Sequence, residues 1–169
     1  MKIIAVDEAT FEQVHALGCL SCTYWHGPVE GDRCEARREM FRDGRCRGKL
    51  ALTDDGSAMG FIQYGPLATF PTFAELRHGF DVDIPSHAWV IPCIITHKEH
   101  RRQGVSRALL TAVLAEAATE GRTLEVIGME EADFDHISGG PAGLYRTAGF
   151  EQLGQFRDGH GMNVLLRLP

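Results

Sequence analysis

The sequence has no apolar run approaching the ~20 residues that cross a bilayer. Residues 1–7 hold no apolar stretch of signal-peptide length. No membrane partner is expected, and a reducing cytoplasm is the expected setting. Cysteine is sparse and odd in number, five in all, which does not fit a closed disulfide framework. Positive charge is also short: 17 Lys and Arg stand against 23 Asp and Glu, for a net charge of −6. A nucleic-acid binder needs a clustered basic excess, so no nucleic-acid partner is expected. Low-complexity tracts, internal repeats and a linker are missing as well. What is present, 169 residues with 44% hydrophobic and 24% charged, fits one folded domain over 1–169 with a sizeable core. The acidic balance favours a cationic partner such as an amine, though only weakly.

Hydrophobic periodicity divides the chain into short elements. Residues 2–6 read as a strand. Thr10 is a suitable N-cap for a helix over 11–17, with Phe11, Val14 and Leu17 on one face. The segment 19–28 is irregular and rich in Cys and aromatics, and 30–45 reads as a charged helix. Strands at 49–53 and 58–64 flank Asp54-Asp55-Gly56-Ser57, a hairpin signal. Residues 70–84 carry Pro71 and Gly79 without a clean period, and read as loop or short helix. Residues 88–96 are a β-rich strand with Pro92 in the middle. Proline cannot donate to a ladder, so it marks an edge, a bulge or a parting of strands. The strongest helix covers 104–119, with Leu109, Leu110, Val113, Leu114 and Ala117 in one stripe and Gly121 closing it. A strand at 123–127, a polar stretch at 130–140, a short helix at 142–147 and strands at 151–157 and 162–168 complete the chain. A helix between two strands suggests one parallel crossover inside a mixed α+β sheet.

The segment with the most chemistry runs from Thr96 to Leu110. A strand ends, a polar loop follows, and a small-residue turn opens the long helix. Such a turn aims unpaired backbone N–H groups and the positive helix end at one spot, where an anion belongs. Gly104 lets the backbone approach closely, and Ser106 is small enough to do nearly the same. Lys98, Arg101, Arg102 and Arg107 form the densest basic run, suited to a single anionic ligand.

At these residues the chain resembles the GNAT superfamily of acyl-CoA N-acyltransferases. The loop Arg101-x-x-Gly104-x-Ser106 resembles that family's acyl-CoA loop, with Ser at the last position instead of Gly or Ala. Leu144-Tyr145-Arg146-Thr147-Ala148-Gly149-Phe150 looks like its Leu-Tyr-x-x-x-Gly-Phe signature. Two motifs in the family's order are more specific than either alone. The resemblance covers roughly residues 88–168; earlier residues match only in the order of elements.

The resemblance implies a mostly antiparallel sheet of about six to seven strands with one splayed parallel pair, flanked by about four helices. It implies acetyl-CoA as acyl donor. Backbone at Ile94, Ile95 and Thr96 would meet the pantetheine arm, and Arg101, Arg102, Gln103, Gly104, Val105, Ser106 and Arg107 would take the pyrophosphate. Ser138 stands near a position where the family often has asparagine, and a serine hydroxyl can serve there. Tyr145 matches the tyrosine that donates to the departing thiolate, and Glu125 a carboxylate that accepts the amine's proton. Glu130, Glu131, Asp133 and His136 are alternatives to Glu125. By analogy with relatives, Tyr24, Trp25 and His26 would line the acceptor side. The acceptor itself, a small molecule or a protein amine, is not legible, and a homodimer is a further expectation. The rival functional reading is an acyl-CoA-binding sensor without turnover.

Other residues have plainer readings. Cys93, beside the expected acyl site, reads as an inert buried thiol. Cys19, Cys22, His26 and Cys34 have a spacing irregular for structural zinc, so no metal is expected. His97 and His100 read as exposed loop residues.

Overall fold

The computed structural model describes the chain except residues 16, 19–21, 86, 131–138, 160 and 169 and the side chain of His15. In chain order its elements are β1 (Lys2–Ala5), α1 (Phe11–His15), α2 (Arg33–Arg42), β2 (Arg47–Leu52), β3 (Ala58–Pro66), α3 (Pro71–His78), β4 (Trp89–Thr96), α4 (Val105–Thr119), β5 (Leu124–Met129), α5 (Ala142–Thr147), β6 (Glu151–Asp158) and β7 (Gly161–Leu168). The strands form one seven-stranded sheet of order β1-β2-β3-β4-β5-β7-β6. Every neighbouring pair is antiparallel except β4 and β5, which run parallel. This is the mixed sheet expected from the sequence.

Alternation along the strands builds three hydrophobic clusters. Trp89 and Ile91 of β4 join Ile62, Leu109, Val113, Val126, Tyr145 and Leu166 in the larger cluster. The helix α4 lies against β1 to β4, and α5 against β5 and β7. Val90, between Trp89 and Ile91, joins Trp25, Phe70, Phe73, Ile127 and Leu165 in a second cluster. A third, around Phe11, Val14, Leu50 and Phe61, is sealed by Phe41 of α2. Leu109 and Val113 are fully buried. Each such side chain contributes about 1.5–3 kcal/mol relative to exposure, which fixes the seat of α4 and hence the direction of its first turn.

Two elements differ from the sequence expectation for local reasons. The segment read as loop or short helix contains α3, with Pro71 in its first turn. Proline is suited there, because its missing N–H would have had no intrahelical partner. Counting α3, the described residues hold five α-helices against about four expected. The helix read over 30–45 is shorter, because Asp32 caps it: its carboxylate accepts from the amides of Cys34 and Glu35.

Candidate active site

The parallel pair opens into a wedge. β4 and β5 pair at Trp89 with Leu124 and at Val90 with Glu125, and the pairing then ends. Pro92 follows two residues later, where a ladder donor would otherwise be needed. β5 stays paired with β7 from Leu124 to Met129, so the sheet parts between β4 and β5. On its other side β4 keeps β3 through Gln63 opposite Cys93 and Ile62 opposite Ile94, after a register shift between Gln63 and Gly65.

The first turn of α4 faces this wedge. Gly104 precedes the helix at φ 81°, and among the described residues no side chain caps the turn. A Cβ on Gly104 would meet nothing within 4 Å, so the glycine is required by its left-handed backbone and not by crowding. Arg102, with φ 62°, is also left-handed. An L-residue there costs about 1–2 kcal/mol. The open amides of α4 contrast with α2, where the same donors are satisfied by Asp32. Uncapped N–H groups together with the helix dipole make an anion site. The side-chain oxygens of Thr96 and Ser106 are 2.8 Å apart, joining the end of β4 to the first turn of α4. The Gln103 amide donates to the carbonyl of Glu99 at 3.0 Å and steadies the loop between them.

A cleft of about 730 Å³ runs from this turn into the wedge. Ile94, Ile95 and Thr96 form one wall, Arg101, Arg102, Gly104, Val105, Ser106 and Arg107 the end, and Gly140, Pro141 and Leu144 the other wall, with His100 at the rim. Gly139 and Gly140 cross close to β5 and β4: a Cβ on Gly139 would lie 1.9 Å from the Ile127 carbonyl oxygen, and one on Gly140 2.7 Å from Ile94. Only glycine permits that approach, so the far wall can sit beside β4 without filling the cleft.

An acetyltransferase (GNAT) domain model matches residues 50–152, more than half of the chain. The chain belongs to the GNAT family. No curated protein sequence matches it. Solved structures share the fold at low identity. The aminoglycoside 6'-acetyltransferase type Ii has TM-score 0.64 at 17% identity, covering 99% of this chain and 96% of that one. The ribosomal-protein-alanine N-acetyltransferase from Brucella melitensis has TM-score 0.66 at 18%, covering 99% of both. Mutant forms of the spermidine/spermine N-acetyltransferase SpeG from Vibrio cholerae give TM-score 0.65 at 15%, covering 99% and 93%.

In this GNAT domain most of the residues expected at the donor site meet at the cleft: Ile94, Ile95, Thr96 and residues 101, 102 and 104 to 107 line it. Gln103 and Tyr145, expected there too, do not line it; the Gln103 side chain is spent on Glu99. Ser138, Glu131, Asp133, His136 and Cys19 lie outside the described residues. Tyr145 is fully buried behind the Gly140 wall, its hydroxyl donating to the Gly139 carbonyl at 2.6 Å. That hydroxyl would stand 3.5 Å from a Cβ on Gly140. Burial holds the phenol well above its ordinary pKa, and the nearby Cys93 adds to the effect. Tyr145 therefore stays protonated at neutral pH.

Glu125 does not have the surroundings of a general base. It pairs with Val90 at the closed end of the wedge and is fully buried. Arg77 donates to its carboxylate through Nε at 2.9 Å and Nη2 at 3.1 Å, and Arg167 through Nε at 2.9 Å. Both carboxylate oxygens accept from guanidiniums, and Glu125 does not line the cleft where an amine would enter. Its charge in an apolar strand is explained by this ion cluster, which anchors α3 and β7 to β5. Among the alternatives, Glu130 is paired with Arg146 at the surface.

The aromatic turn Tyr24–His26 also differs from its expectation. Tyr24 is exposed, with its ring edge-on to Trp25. Trp25 is buried against Phe73, and His26 is buried against Phe70. None of the three lines the cleft. Both ring nitrogens of His26 are engaged, Nδ1 with the Thr69 carbonyl at 3.2 Å and Nε2 with Gln63 at 2.8 Å. Burial lowers its pKa to about 4, against the opposing pull of the Thr69 bond. Neutral and committed, it offers no nitrogen to a metal. Among the described residues no group of three or more His, Cys, Asp or Glu is placed to hold one, and no helix is long and apolar enough to cross a membrane. Sequence reasoning passed over Gly140, Pro141 and Leu144 as cleft walls.

Proposed function

We propose that the protein is an N-acetyltransferase that moves an acetyl group from acetyl-CoA to a primary amine by direct attack in a ternary complex. The observation that carries this reading is the wedge between β4 and β5 ending on an uncapped, glycine-led helix turn. The pieces fit the donor: an anion site for a diphosphate, a strand edge beyond Val90 for the amides of a pantetheine arm, and a cleft of about 730 Å³ between them. Acetyl-CoA supplies the activated acyl group. The chain's part is to bind, orient and move protons.

Amides of α4 and the guanidiniums of Arg102 and Arg107 hold the diphosphate. Backbone N–H of β4 near Ile94 to Thr96 polarises the thioester carbonyl, and these fixed dipoles cost no reorganisation as negative charge develops. The neutral amine attacks the carbonyl carbon, a C–N bond forms, and the C–S bond breaks. Tyr145 gives its proton to the departing sulfur. The ammonium proton passes to solvent or to a base contributed from the open side of the wedge, and the tyrosine is reprotonated from the same side.

Release of free CoA thiol from acetyl-CoA, followed across a panel of amines, tests the reading. Amine-dependent thiol release supports it. Acetyl-CoA binding with no release for any amine would favour the sensor instead.

A further inference from the structure

The cleft changes character along its length. Arg101, Arg102 and Arg107 gather at the first turn of α4, and away from that turn the lining is apolar: Ile94, Ile95, Gly140, Pro141 and Leu144. On β4 the lining stops at Ile94; Cys93 and the residues before it do not line the cleft, and no residue of β5 does.

A contact across the wedge sets this end. The chain at Gly140 lies along β5: the Met129 amide donates to the Gly140 carbonyl at 3.1 Å, and Met129 forms a parallel bridge with Pro141. From there Gly140 reaches over to β4. A Cβ on it would stand 2.7 Å from Ile94 Cγ2 and 3.5 Å from the Tyr145 hydroxyl. Ile94 is buried in the same cluster as Ala142 and Tyr145. No side chain can swing aside to deepen this end. Gly140 has none, Ile94 is β-branched and restricted at χ1, and Tyr145 is fully buried and tied to the Gly139 carbonyl.

We infer that Ile94, held against Gly140, is the acyl stop of this enzyme: it admits a two-carbon, uncharged acyl group and rejects butyryl and succinyl groups. This specifies the donor of the transfer proposed above and rests on that reading, in which the pantetheine arm runs along β4 from the α4 turn toward Ile94. Carbons beyond the thioester carbonyl then meet the Ile94–Gly140 contact. A close-packed interior does not yield to an added methylene without strain. A carboxylate brought to the same place would leave water for an apolar end, with the guanidiniums of the cleft at the other.

The test is amine-dependent release of CoA thiol from acetyl-, propionyl-, butyryl- and succinyl-CoA, with one accepted amine held fixed and the wild type compared with Ile94→Ala. In the wild type kcat/KM is expected to fall at least ~10-fold from acetyl- to butyryl-CoA, and at least as far for succinyl-CoA. In Ile94→Ala the butyryl-to-acetyl ratio rises at least ~10-fold. Succinyl-CoA stays poor there, because the change adds room and no positive charge. Butyryl transfer within about threefold of acetyl in the wild type, efficient succinyl transfer by either protein, or a ratio unmoved in Ile94→Ala would overturn the stop. If Ile94→Ala fails to fold, Ile94→Val takes its place, and the same ratio must rise by a smaller factor. Calorimetric titration with free CoA runs alongside. CoA binding with a flat acyl series sinks the stop alone, whereas no CoA binding, or no amine that supports release from any donor, sinks the acetyltransferase reading.

Discussion

The hydroxyls of Thr96, at the end of β4, and Ser106, in the first turn of α4, are 2.8 Å apart and close the loop between them. The serine that departs from the family's Gly or Ala thus ties the strand wall of the cleft to the first turn of α4. A net hydrogen bond contributes about 0.5–1.5 kcal/mol. Ser106→Ala should therefore weaken acetyl-CoA about two- to tenfold by isothermal titration while leaving the fold intact. Unchanged affinity would show that the pair does not organise the cleft.

Tyr145→Phe separates chemistry from binding. The phenol is buried, protonated and hydrogen-bonded beside the Gly140 wall. Loss of a general acid lowers turnover by about 10²–10⁴-fold. The dissociation constant for acetyl-CoA should move by less than about threefold, since the ring remains. Turnover equal to wild type in stopped-time thiol release would remove Tyr145 from the mechanism.

Glu125→Gln is expected to act on stability. Removing the charge leaves Arg77 and Arg167 without their shared counter-ion in a fully buried site. Breaking a buried pair costs about 3–5 kcal/mol, which for a domain of this size lowers Tm by roughly 10 °C. A Tm within a degree or two of wild type, together with a large loss of turnover, would return Glu125 to the role of base.

His26 makes stability depend on pH. Its folded pKa is about 4, below the ordinary 6.5, because burial disfavours the charged ring. Below pH 6.5 the unfolded chain takes up a proton that the folded chain refuses. The contribution is complete above pH 6.5 and is lost as pH falls toward 4, amounting to about 3 kcal/mol at most. Chemical denaturation of wild type and His26→Gln at pH 7 and pH 4.5 checks this. The wild type should lose more stability over that interval; equal losses would contradict the assignment.

Much of this molecule was legible in the sequence because local and tertiary signals agree. The stripe of Leu109 and Val113 sets α4, Gly104 sets the turn before it, and Pro92 sits where β4 leaves β5. These are backbone constraints, and residue type reports them directly. Side-chain roles were harder to read. Glu125 in an apolar strand announces that it has a partner, but Arg77 and Arg167 are distant in sequence, so a structural ion pair and a catalytic base look alike until the fold joins them. Trp25 and His26 carried the same ambiguity. Their burial depends on α3, whose weak periodicity hid it.

The first turn of α4 is the proposed seat of the acetyl-CoA diphosphate. Calorimetric titration of wild type and Gly104→Val with acetyl-CoA tests it most directly. At φ 81° a β-branched residue is strained, and its side chain would enter the open space that Gly104 leaves. Measurable binding is expected for the wild type, with a loss of at least ~10-fold in the variant, a difference of about 1.4 kcal/mol or more. Equal affinity in the two proteins, or none in the wild type, would contradict it.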